Sequence, residues 1–133
     1  MANAKTEEIQ RWMAKASHDL TAAITLLNSE VPLTDIAVYH CQQAAEKALK
    51  AYLIEMDTPF TKTHDLDELV SVCATLDNAF SDLSEPAAVL TPYAIAFRYP
   101  TGQPDPTLAE ADHAIQCARG MIEFVASRLS KTS

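Results

Sequence analysis

Arg98 stands between the apolar stretch Tyr93 to Phe97 and the stiff dipeptide Tyr99-Pro100. A guanidinium placed where a helix stops and a rigid loop begins can grip a phosphate or carboxylate through two parallel hydrogen bonds. The competing reading has Arg98 satisfying the last carbonyls of that helix, or pairing with Glu46 across the structure. A second candidate is the pair His64 and Asp65. An imidazole at a helix start can bond a loop carbonyl, and Asp65 suits the positive end of the helix that follows, so both have a structural role beside any chemical one. The third set is Gln43, Glu46, Lys47 and Lys50. Gln43 lies one helical turn from Lys47, and Glu46 one turn from Lys50, so these side chains can support one another. If His64 and Arg98 approach this set, the result is a pocket of convergent donors suited to a nucleotide.

Other arrangements carry less. Glu110 and His113 form a Glu-x-x-His, and His113 and Cys117 are one turn apart, a spacing that lets two ligands share a helix face. A di-iron bundle requires two such units plus two further glutamates, and no glutamate stands three residues before His18, His40 or His64. Neither a metal nor another cofactor is expected. His40 next to Cys41 makes no nucleophilic pair, because adjacent helical residues point about 100° apart. Cys41, Cys73 and Cys117 are odd in number and form no Cys-x-x-Cys, so they read as small apolar fillers in a reducing cytoplasm. Trp12 and the tyrosines read as core or interface.

The stretch that must position these groups is Asp35 to Met56. At about 100° per residue, Val38, Cys41, Ala44, Ala45, Ala48, Leu49 and Tyr52 share one wide apolar face, while Tyr39, Gln43, Glu46, Lys47 and Lys50 lie opposite. The alanines let a neighbouring helix approach closely. An earlier helix is expected from about Thr6 to Asn28, buried through Ile9, Trp12, Met13, Ala16, Leu20, Ala23, Ile24 and Leu27. Val31-Pro32 separates the two, and Thr34 or Asp35 caps the second. Asp57 to Phe60 forms a loop, and Thr63 or Asp65 caps a short helix from Leu66 to about Thr75. After an irregular stretch from Leu76 to Ser84, Ser84-Glu85-Pro86 opens a helix carrying Val89, Leu90, Tyr93, Ile95 and Phe97, weakened at Pro92. The proline-rich run Tyr99 to Pro106 is a loop. Thr107 and Glu110 form a capping box for a last helix to about Leu129. With two glycines and no alternating β-branched runs, the fold class is all-α: an antiparallel four-helix up-and-down bundle with an additional short helix, in one domain over residues 1–133.

The wording YHCQQAAEKALKAYL at Tyr39 to Leu53, then THDL at Thr63 to Leu66 and FRYP at Phe97 to Pro100, resembles the HEPN domain family (higher eukaryotes and prokaryotes nucleotide-binding). The three blocks occur in the family's order, and the resemblance runs from about Trp12 to Val125. It implies a homodimeric module that binds a nucleotide or RNA, similar to the helical partners of minimal nucleotidyltransferases in two-gene systems of toxin and antitoxin type. In many HEPN proteins an arginine in this region is followed, four to six residues later, by a histidine, and the pair cleaves RNA without metal across a dimer. Here Tyr99 to Asp105 follow Arg98 and no histidine is among them. The formal match Arg11 and His18 lies inside the first helix and reads as coincidence. Moving a 2'-hydroxyl proton needs a group that titrates near neutrality, which neither Gln103 nor Asp105 replaces. The resemblance therefore implies a binding partner rather than an enzyme, with Tyr99 as a plausible acceptor hydroxyl for a nucleotidyl group. The alternatives are a divergent ribonuclease using Arg98 and a histidine from elsewhere, such as His64, and a purely structural dimeric interaction protein.

Charge and length bound these readings. At 133 residues the chain suits one self-sufficient core. Its 10 basic and 18 acidic residues give a formal charge of -8, which disfavours a broad contact with double-stranded DNA or an anionic membrane and leaves room for a local basic site. The start MANAKTEEIQ lacks an apolar signal core, and no apolar run approaches the roughly 18 residues that span a bilayer, so a cytoplasmic location is expected.

Overall fold

The computed structural model describes residues 3–130, and among these the chain is all-α. The helices are α1 (Ala4–Leu27), α2 (Thr34–Glu55), α3 (Leu66–Leu76), α4 (Ser84–Leu90) and α5 (Leu108–Arg128), with 3-10 turns at Asn78–Leu83 and Thr91–Ala94. α2 is the axis of the bundle. It packs chiefly on α1 and α5, while α3 and α4 close another side.

Local chemistry explains most of the boundaries. α1 begins two residues earlier than its apolar pattern suggests, because the Asn3 side chain accepts from the Thr6 N–H at 2.8 Å. α2 differs from expectation in having no side-chain cap: Leu33 occupies the cap position, Ala37 N–H bonds the Leu33 carbonyl at 2.9 Å, and Thr34 is already buried inside the first turn. α2 ends where Asp57 takes a left-handed φ of 52°, a conformation that a short polar side chain tolerates. Asp65 caps α3 as expected, accepting from the Asp67 N–H at 2.9 Å, and Thr63 Oγ1 accepts from Asp65 N–H. Thr107 and Glu110 form the expected capping box at the start of α5.

The fourth helix is shorter than its pattern suggests. Pro92 does more than weaken it: the α-helix stops at Leu90, before the ring that has no N–H to give and that would crowd the preceding turn. The chain tightens into the 3-10 turn Thr91–Ala94, so Tyr93, Ile95 and Phe97 are not on α4 at all. Arg98 follows a further turn, its N–H bonding the Ile95 carbonyl at 3.1 Å, and does not end an α-helix.

Every member of the expected apolar face of α2 is buried, from Val38 to Tyr52. The irregular stretch after Leu76 is an ordered 3-10 run whose first N–H groups are held by Asp77. It delivers Phe80 into the core, with its ring centroid 4.3 Å from that of Tyr52 and 5.0 Å from that of Phe124. Cys41 and Cys73 are free and buried, and burial pushes both thiols up to about 12, so they serve as small apolar fillers. Leu49 is fully buried near the middle of α2. Leu49→Ala is expected to lower the unfolding free energy by about 2–5 kcal/mol. In a urea titration this appears as an earlier midpoint with an unchanged slope.

Candidate functional site

The polar face of α2 is less solvated than its composition suggests. Gln42 is fully buried, and Glu46 and Lys50 are nearly so. A buried carboxylate is costly unless charge and hydrogen bonds compensate it. Glu46 Oε2 accepts from Lys50 Nζ at 2.9 Å, and Oε1 accepts from Gln42 Nε2 at 3.2 Å and from His64 Nδ1 at 2.8 Å. Burial by itself would raise the Glu46 pKa, but these bonds from His64, Lys50 and Gln42 outweigh it and hold the group below its ordinary value. Gln42 also donates to the His64 carbonyl at 2.9 Å, so residue 64 is tied to α2 through both backbone and ring. With Nδ1 facing Glu46, the His64 side chain is 63% exposed and its Nε2 has no hydrogen-bond partner among the described residues.

A second network joins α2 to α1. Asp19, buried on α1, accepts from His40 Nδ1 at 2.8 Å and from Lys47 Nζ. Periodicity offers a signal for it, since Asp19 falls between Ala16 and Ala23 on the buried stripe of α1. An aspartate on that stripe requires a cation on the facing helix.

Arg98 lies at the other end of the polar face. Its guanidinium carbon is 5.2 Å from the Tyr39 ring centroid and 6.0 Å from that of Tyr99. Among the described residues it forms no ion pair. It borders two adjoining grooves of about 300 and 310 Å³. One is walled by Ile36, Tyr39 and Tyr93; the other by residues of the loop between Tyr99 and Asp105; Asp35, Phe97 and Arg98 line both. Tyr93 and Phe97 stand together, ring centroids 5.9 Å apart.

The sequence-derived candidates thus separate. Lys50 and His64 come together around the Glu46 carboxylate, while Arg98 stacks on Tyr39, seven residues or roughly 10 Å up the same helix. Lys47 and Lys50 are both engaged by carboxylates, Gln43 donates to Gln42 Oε1 at 2.8 Å, and Asp65 is occupied as a cap. Arg98 does not pair with Glu46. Among the described residues, the candidates left with free polar atoms include Arg98, His64 at Nε2 and Tyr99, a residue 66% exposed. The sequence reading does not single out Asp19 or Gln42, takes Asp35 only as a cap of α2, which it is not, and gives His40 no partner on α1. Glu110 accepts from the Thr107 N–H at 2.9 Å, which draws it into the cap and away from His113. No group of three or more potential metal ligands occurs among the described residues, and none of their helices is long and apolar enough to cross a membrane.

The architecture is that of a small all-helical module whose buried polar residues lie mostly along one central helix. The HEPN domain family matches residues 9–129, and the chain belongs to that family. Its fold is similar to the crystal structure of TT1696 from Thermus thermophilus, with 30% identity, a TM-score of 0.78, and 91% of this chain and 98% of that one covered. It is also similar to ST0689, an archaeal HEPN homologue, at 24% identity and a TM-score of 0.75, covering 92% of this chain and 98% of that one. No curated protein matches the chain.

The Glu46 network sets a pH dependence. Because its pKa is lowered on folding, Glu46 contributes stability above its ordinary value of 4.5, and that contribution is lost as pH falls through the lower folded value. Glu46→Gln is expected to cost about 3 kcal/mol at pH 7, since it leaves the buried Lys50 without its counter-charge. The gap between variant and native chain should narrow as pH falls below 4.5, as read from urea unfolding at each pH.

Proposed function

We propose that the chain is a HEPN-type nucleotide- or RNA-binding module, acting as a homodimer and as the helical partner of a minimal nucleotidyltransferase in a two-gene, toxin–antitoxin-like system. The observation that carries the binding reading is Arg98: an unpaired guanidinium stacked on Tyr39, at the junction of an aromatic-walled groove and a polar one. A flat base suits the rings and a phosphate suits the guanidinium. The acidic remainder of the chain confines an anion to that place. Exposed Ile36 and Tyr99, at 41% and 66%, line the same grooves and supply apolar surface for a second copy. Isothermal titration with ATP is the test. Heat of binding at millimolar nucleotide, reduced at least tenfold in affinity by Arg98→Ala, is expected; no heat in the native chain, or equal heat in the variant, removes the reading.

A second reading, a divergent ribonuclease, is favoured by the Glu46–His64 pair alone. A carboxylate that fixes the Nδ1–H tautomer leaves Nε2 able to take a proton from a 2'-hydroxyl. Metal-free degradation of RNA that disappears in both His64→Ala and Arg98→Ala is the outcome this reading requires; intact RNA with the native chain discards it.

A further inference from the structure

Asp35 is a polar residue of both grooves whose side chain enters no hydrogen bond or ion pair among the described residues. It lies in the first turn of α2, half-buried, and it borders both the aromatic groove and the polar one. It caps nothing: the cap position belongs to Leu33, which makes no side-chain bond. Among the described residues its carboxylate enters no ion pair, although the unpaired Arg98 lines the same two grooves. A negative charge in a first turn gains from the helix dipole, but that gain would be equal on any exposed side of the helix and does not account for a place between aromatic walls.

An ionised carboxylate only accepts hydrogen bonds, through two oxygens side by side. Its match among the bases is an edge with two adjacent donors. Guanine alone presents one, at N1–H and the N2 amine. Adenine and cytosine each set an acceptor nitrogen beside the amine, and uracil sets carbonyl oxygens on both sides of its single N–H. We propose that Asp35 makes the groove selective for guanine, its carboxylate accepting from N1–H and the N2 amine while Tyr39, Tyr93 and Phe97 wall the ring and Arg98 holds the phosphate. This rests on the nucleotide-binding reading above and adds the identity of the base.

Titration of the full chain with the 5'-monophosphates of guanosine, inosine and uridine tests it, because inosine differs from guanosine only by the N2 amine. Guanosine monophosphate is expected to bind at least tenfold more tightly than uridine monophosphate and measurably more tightly than inosine monophosphate. In Asp35→Asn the ratio of guanosine to uridine monophosphate affinity should collapse toward unity, and any change the lost charge makes to phosphate binding is common to both. A thermal melt unchanged from the native chain shows that the variant is folded, and Asp35→Ser serves if it is not. Equal binding of all three nucleotides, or a guanosine preference that survives in the folded variant, overturns the assignment and leaves the binding module standing. Absence of binding by any of them overturns both.

Discussion

The burial of the Glu46 carboxylate governs the rest of the structure. A charge at the centre of a helical bundle persists only if cations and donors reach it, and three do so from two directions. Lys50 comes from one turn along the same helix and is held under Phe60, its nitrogen 5.5 Å from the ring centroid. His64 comes from the loop after α2 and brings that loop down onto the helix. The start of α3 is thereby placed: Asp65 caps it, and the Leu66 N–H bonds Thr91 Oγ1 at 3.2 Å, which ties α3 to the turn beyond α4. One buried carboxylate thus connects the central helix to the segment that presents Arg98.

The same requirement decides which cations are free to meet a ligand. Lys50 neutralises Glu46, and Lys47 neutralises Asp19 between α1 and α2. Both lysines would leave a buried charge stranded if they turned outward, a cost of several kcal/mol that a phosphate contact at the surface does not offset. Arg98 has no such duty, since it is exposed and stacked on Tyr39 rather than bonded to a carboxylate. Arg98 is therefore a cation beside α2 that no carboxylate engages among the described residues.

Much of this was legible in the residue pattern, and the misses have physical causes. The apolar face of α2, the Asp65 cap and the Thr107–Glu110 box follow from periodicity and local hydrogen bonding, which act over one or two turns. The HEPN resemblance was carried by the Tyr39 to Leu53 block, and that block holds Gln42 and Glu46, the buried polar residues with the most partners. What periodicity could not show was depth. Glu46 and Lys50 lie opposite the apolar face and read as solvated, yet the loop after α2 covers them, and a covering loop leaves no mark on the helix it covers. Asp19 stands on the periodic stripe of α1, but the identity of its partners, 21 and 28 residues further on, lies beyond any local rule. The length of α4 was misjudged because an apolar spacing carries on through Pro92 while the backbone cannot.

That early stop shapes the groove. Had α4 continued to Phe97, Arg98 would sit at a helix end with the last carbonyls within reach of its donors, and the guanidinium would be spent on the backbone. Because Pro92 ends the helix at Leu90, the chain turns twice more and lays Arg98 against Tyr39 of α2. A guanidinium is weakly hydrated and planar, so it rests on an aromatic face at little desolvation cost, with its edge donors still available. Stacking also removes side-chain freedom before any ligand arrives, which lowers the entropy lost on binding. A proline that looks like a flaw in the helical pattern thus leaves the arginine both held in place and unbonded.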